Sequence, residues 1–307
     1  MWKDNISLRQ LKIIVRNEFL TDIRNKTFWI STLLVPIVLV VIGGLFGYLM
    51  SESDTFTKTV NELPTQPSED DITPAKAAGM LLGMFLTFFL MGYGAMIFNK
   101  VKSEKCNRIM EIISTCVDGK IMMLAKIISV GLTGLLQMFI WFAMIVLAIS
   151  GFVLIFQSNI PWDYLTNSKT YLALLWMFLY FVGGYIFFGS LYAACGAITD
   201  KDNENQTYMT ILTFMLLGAF YIGEFAVDNG TSGLAVACSY IPFTSPTVGT
   251  INAVSGAAPL WQTLLSLGIL YICALFCLSI AGKLYRSSML LKGKQFSPKD
   301  LITFIRS

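Results

Sequence analysis

The chain has 307 residues, 55% of them hydrophobic and only 13% charged, with a net charge of +3. A soluble domain carries about 25% charged residues, so this composition excludes an ordinary water-exposed globule and predicts a polytopic, all-α membrane protein. There is no histidine, which excludes imidazole catalysis and histidine-ligated metal, and the six cysteines (Cys106, Cys116, Cys195, Cys238, Cys273, Cys277) form no CxxC pair and read as small, reduced, apolar side chains.

Residues 1–27 form a charged N-terminal segment in which Leu8, Leu11, Val15, Phe19 and Ile23 recur at helical spacing, with Arg9, Lys12 and Arg16 off that stripe. This predicts an amphipathic helix lying on the inner membrane face, or else packed on the protein's own cytoplasmic surface. The charged region is too long, and the apolar run behind it too extended, for a cleavable signal. A first span is expected over 28–50. A short acidic outer loop follows over 51–76, punctuated by Pro64, Pro67 and Pro74, and then a second span over 77–98. Charged residues fill 99–120. The third apolar run, 121–156, is longer than a ~30 Å hydrocarbon layer needs, so it is expected to tilt, kink or begin in the interface. A fourth span is expected over 171–198 and a fifth over 208–227.

Residues 229–259 are uncharged, yet Pro242 and Pro246 break their middle. Each apolar half is too short to cross, so the segment either caps the outer face or dips in and returns as re-entrant helices. The sixth span is expected over 260–284, followed by a basic tail over 285–307. The segments on one side of this six-span arrangement hold 19 Lys and Arg residues, and those on the other hold Lys58, Lys76 and Lys169. That asymmetry places both termini in the cytoplasm.

Between the second and third spans, residues 103–115 read as a short helix. Glu104, Arg108 and Glu111 share one face at spacings of four and three. Ile109, Ile112 and Ile113 offer an apolar patch beside them, with Lys105 adjacent, and Asp118-Gly119 marks a turn. Charge for register plus an apolar knob suits a docking element for a cytoplasmic partner; intramolecular packing remains the alternative.

Chemistry of other kinds is missing from the sequence. Gly293-Lys294 lacks the upstream glycine and following hydroxyl of a phosphate-binding loop, and no G-x-S-x-G elbow occurs. No catalytic residue, cofactor site or metal site is expected on this chain. Span interiors read as free of Lys, Arg, Asp and Glu, which argues against ion coupling at the midplane. Gln137 and Glu224 are the candidate pathway side chains. For Gln137 an interhelical hydrogen bond is the plainer reading, and for Glu224 a solvated interface position is.

Four stretches carry a family resemblance. They are EKCNRIMEIIST (104–115) followed by Gly119-Lys120, RNKTFWISTLLVP (24–36), IPFTSP (241–246), and LYRSSMLLKGK (284–294) with Ser297-Pro298-Lys299 behind it. In their order along the chain they resemble the ATP-binding-cassette type-2 exporter permeases, most of all the NatB-like, sodium-efflux branch. The resemblance implies a six-span permease in the cell inner membrane that forms a homodimer or heterodimer around a central path. A separate ATPase carrying ATP and magnesium would push on Glu104, Lys105, Arg108, Ile109, Glu111 and Ile112, and on the N-terminal helix. The family's short outer helices would correspond to the segment around Pro242, Phe243, Ser245 and Pro246. Sodium efflux is what the branch implies; a lipid-like or drug-like substrate fits the apolar, aromatic-rich wall equally well. A membrane anchor passing ATPase motion to an outer partner is the rival function. Membrane lipid is an expected partner and nucleic acid is not. Larger relatives of this branch carry a sizeable outer domain between the first two spans, whereas here that region is only residues 51–76.

Overall fold

The computed structural model describes residues 2–34, 36–38, 41, 74–106, 119–156, 168–199, 205–228, 233–256 and 258–290. Every element among them is helical: α1 (Trp2–Arg24), α2 (Pro74–Cys106), α3 (Gly119–Phe156), α4 (Ser168–Ile198), α5 (Asn205–Asp228), α6 (Gly233–Tyr240), α7 (Ser245–Ser255) and α8 (Leu260–Leu290). A short apolar helix, Lys26–Val38, follows α1. Five helices contain stretches long and apolar enough to cross a membrane: Gly79–Glu104, Ile121–Met144, Tyr171–Ile198, Thr207–Phe225 and Leu260–Ser288. Most of the run expected as the first span, and all of the loop before Thr73, lie outside the described residues.

The chain divides into two compact units. The first comprises Met1–Glu18, Thr73–Gly131 and Asn167–Ser307. Within it α4 packs against α2 on one side and α8 on another, and α7 is enclosed by α2, α4, α5 and α8. The α2–α4 seam is close because small residues meet large ones. A Cβ on Gly94 would land 2.3 Å from the Tyr192 ring, and one on Gly196 would land 2.8 Å from the Phe98 carbonyl oxygen. Without a strong hydrophobic drive between helices in lipid, such backbone approach is what holds spans together. Large aromatics fill the remaining space, with Phe89 edge-on to Phe181 at 5.2 Å.

The break in 229–259 has a clear chemical origin. Pro242 cannot donate a helical hydrogen bond, so α6 ends at Tyr240. Pro246 sits in the first turn of α7, where its missing N–H costs nothing. The turn between them is closed by the Ser245 amide on the Ile241 carbonyl at 2.7 Å and by the Thr244 hydroxyl on the Cys238 carbonyl at 2.5 Å. Gly256, with φ +74°, stops α7 by returning its amide to the Asn252 carbonyl.

This hairpin reaches deep along α4. Pro246 occupies the space 2.8 Å from where a Cβ on Gly184 would stand, and the Phe243 ring lies 5.0 Å from that of Phe187. At ~1.5 Å per residue, Gly184 is about 24 Å and Phe187 about 29 Å from the start of α4. Residues Ser245 to Asn252 are all buried.

The second unit, Phe19–Ile72 with Leu132–Thr166, joins the end of α1 and the Lys26–Val38 helix to the later part of α3. Asn25 ends α1 and starts the next helix, its side-chain oxygen accepting from the Thr27 amide at 3.1 Å. The Trp29 indole donates back to the Ile23 carbonyl at 2.7 Å. Trp141 on α3 donates to the Thr32 carbonyl at 2.9 Å, and Thr133 donates to the Asp22 carboxylate at 3.4 Å. The stretch RNKTFWIST is thus an N-cap followed by two hydrogen-bonded anchors.

Candidate functional site

Two buried polar groupings stand out in the first unit, at opposite ends of its helices. At one end, α2 carries Lys100 and Glu104 one turn apart, α3 contributes Lys126, α1 contributes Glu18 and α8 contributes Tyr285. Lys126 is 1% exposed and Tyr285 is fully buried. The Lys126 ammonium pairs with Glu18 at 2.7 Å and also with Glu104. Lys100 pairs with the other oxygen of Glu18 at 3.2 Å. The Tyr285 hydroxyl donates to the second oxygen of Glu104 at 3.0 Å. Two lysines and two glutamates cancel, so four helices share one neutral, interlocked cluster.

The charges decide the ionisation. Burial alone would raise the Glu18 carboxyl, but Lys126 first and Lys100 next outweigh it and hold it below its ordinary value. An ammonium this deep is tolerated only because two carboxylates compensate it; removing one partner of such a pair typically costs about 3–5 kcal/mol.

α1 packs along the face that carries most of its apolar stripe, with Leu8 as the exception. Leu11, Ile14, Val15 and Glu18 are half-buried together, whereas Leu8 is 62% exposed. Arg9, Lys12, Ile13 and Arg16 occupy the exposed side. A carboxylate, Glu18, shares the packed face with Leu11 and Val15.

At the other end, the hairpin and the start of α8 enclose hydroxyls and amides and no charge. Ser245 and Ser266 meet hydroxyl to hydroxyl at 2.9 Å, and the Ser266 hydroxyl also donates to the Ser239 carbonyl. Gln262 donates to the Ser239 hydroxyl at 3.4 Å, and Tyr180 to the Thr263 carbonyl at 3.4 Å. Thr250 returns its hydroxyl to the Pro246 carbonyl at 2.5 Å. Asn252, 2% exposed, keeps a buried side-chain oxygen that no donor reaches.

The sequence-predicted positions distribute unevenly over these two places. Glu104 falls in the charged cluster. It belongs to α2, which runs unbroken to Cys106, so residues 103–106 extend the long helix and do not open a separate short one. Lys105 lies on the same helix with its side chain outside the described residues, as are Arg108, Ile109, Glu111 and Ile112 altogether. Pro242, Phe243, Ser245 and Pro246 form the turn of the hairpin. Gln137 is buried on α3 in the second unit, and Glu224 is half-buried near the end of α5.

The expectation of span interiors without ionisable residues is corrected by Lys126. It lies inside the apolar stretch Ile121–Met144, held there by Glu18 and Glu104. Its signal was available: a lone lysine between Leu124-Ala125 and Ile127-Ile128. Glu18, Tyr285, Ser266 and Asn252 gave no comparable signal.

The family described as ABC-2 family transporter protein matches residues 57–283. The chain belongs to that family. Among curated proteins, this ABC-2 chain is similar to the uncharacterized protein YhaP of Bacillus subtilis, 22% identical over 244 residues, which is 78% of this chain and 57% of the relative. It is also similar to the uncharacterized protein MJ1024 of Methanocaldococcus jannaschii, 25% identical over 224 residues, 72% of this chain and 52% of that one. The aligned part of the chain thus spans little more than half the length of either relative. No solved structure matches the chain.

Proposed function

We propose that this ABC-2 chain is the membrane permease subunit of an ATP-driven exporter, worked by a separate ATPase that docks where residues 103–115 leave α2. The observation that carries the proposal is the position of Glu104. It sits on the last described turn of α2, directly before residues 107–118, and it is tied through Lys126, Glu18 and Tyr285 to α3, α1 and α8. A push delivered there reaches four helices together. An interlocked ion cluster in a nearly water-free setting yields as a unit or not at all, which suits rigid-body gating. Arg108, Glu111, Ile109 and Ile112 would supply the partner's contacts, with Lys105 beside them.

The hairpin at the other end fits a re-entrant pair around Pro242 and Pro246, closing the path on the far side. The exposed Arg9, Lys12, Arg16 and Ile13 of α1 fit an anionic membrane surface. In this reading both termini are cytoplasmic, the chain has six spans, and it pairs with a second permease. ATP and magnesium belong to the ATPase. Sodium remains the first solute to test, because the branch resemblance points to it, with lipid-like and drug-like compounds beside it.

The decisive experiment is Arg108→Glu in the full chain expressed with its ATPase. The variant inserts into membranes normally but loses ATPase co-purification and ATP-stimulated flux from vesicles. Normal coupling in that variant removes the docking role.

A further inference from the structure

The charged cluster and the hairpin sit at the two ends of one helix, α8. Tyr285 and Ser266 lie about 28 Å apart along its axis at ~1.5 Å per residue. Each makes its contact with a single hydroxyl. That of Tyr285 donates to Glu104 at 3.0 Å, and the Tyr285 side chain is fully buried. That of Ser266 meets Ser245 at 2.9 Å and donates to the Ser239 carbonyl. It therefore grips both arms of the hairpin, one on either side of the turn. Between the two ends α8 is pinned to α4, where the Tyr271 hydroxyl donates to the Leu179 carbonyl at 3.0 Å and Leu270 fills the space beside Gly183.

We propose that α8 is the connecting rod of the molecule: Glu104 moves Tyr285, α8 tilts about its attachment to α4, and Ser266 carries the tilt to the hairpin. This rests on the reading that a partner acts at residues 103–115. The physical reason is an asymmetry of cost. If Glu104 shifts and Tyr285 stays, the buried phenol gives up its hydrogen bond to a carboxylate, so α8 follows. At the other end the partners are neutral hydroxyls and carbonyls, which exchange one hydrogen bond for another at little cost. The stiff joint thus faces the source of motion and the yielding joint faces the hairpin. Tyr285 and Ser266 are positioning residues in this scheme; neither is assigned a contact with solute.

Cys238 provides the reporter. It lies on α6 and is partly buried against Ala235 and Val248. A full-length chain keeping Cys238 as its sole cysteine is assembled with the partner ATPase in lipid nanodiscs. Its alkylation by a small maleimide is timed with and without a non-hydrolysable ATP analogue. The expected nucleotide effect in this parent is about fivefold or more, the lower range of ordinary site-to-site coupling. Tyr285→Phe and Ser266→Ala each abolish the effect while nucleotide binding persists. Glu104→Gln, which keeps an acceptor for Tyr285, retains part of it and guards against a folding defect in Tyr285→Phe. Ser279→Ala, on the exposed side of the same helix, leaves it unchanged. A parent that responds while Tyr285→Phe or Ser266→Ala responds equally overturns the rod and leaves the proposed function standing. A parent with bound ATPase and no response overturns both.

Discussion

The two buried polar groupings differ in one respect that matters: one is charged and the other is not. Around the Lys126 ammonium the contacts are ion pairs, joined by a phenol hydrogen bond to a carboxylate. Around Ser266 every contact is neutral. In a water-poor interior an unpaired charge costs several kcal/mol, whereas a neutral hydroxyl loses about 1 kcal/mol on changing partners. The first grouping is therefore a joint that resists opening, and the second is one that opens cheaply. Under the proposed function, that difference would put movement at the hairpin, with the charged end moving only as a whole.

The largest test of this contrast is Lys126→Met. It leaves Glu104 without its lysine and Glu18 with Lys100 alone, and it should destabilise the chain by about 3–5 kcal/mol, read as a lowered thermal midpoint in detergent. The double variant Lys126→Met with Glu18→Gln should recover part of that loss; a fully additive loss would mean the pair is not coupled. Next in size is acidification. Glu18 titrates below its ordinary value, so its stabilising share is complete above the unfolded pKa and disappears as pH falls through the folded one. Cross-linking of α1 to α2 between pH 7 and pH 3 should fall off at the acid end, and Glu18→Gln should flatten the curve. Because the carboxyl is depressed, the loss is confined to the acid side and the contribution persists at alkaline pH.

Ser266→Ala should cost about 1 kcal/mol or less, a small shift in the same thermal assay, which sharpens the contrast by its smallness. Smallest is Asn252→Leu. The amide oxygen already lacks a donor, so an apolar side chain of similar size should be neutral or slightly stabilising. Undiminished stability together with lost transport would mark Asn252 as a functional side chain of the hairpin.

The sequence made the membrane character legible because apolar runs of spanning length leave few other outcomes. Pro242 and Pro246 likewise located the hairpin turn, since neither can sit inside a helix without breaking it. The charged cluster was far less visible. A tally along the chain cannot distinguish a lysine in water from one buried between two glutamates, so Lys126 reads there as one more flanking basic residue. The pairing of Glu104 with Lys126 and its hydrogen bond from Tyr285 depend on residues far off in the chain. On α1 the apolar stripe finds Leu11 and Val15 on the packed face but not Glu18, which turns inward to meet Lys126 and Lys100. Residues 107–118, where most of the expected docking side chains fall, lie outside the described part of the structure.

The glycine seam between α2 and α4 carries a consequence of its own. Gly94 leaves room for the Tyr192 ring and Gly196 for the Phe98 carbonyl, so a methyl group added at either would force the two helices to shift. Sliding one helix along the other by even a single methyl width would drive ring or carbonyl into main chain. The seam therefore resists sliding of α2 against α4.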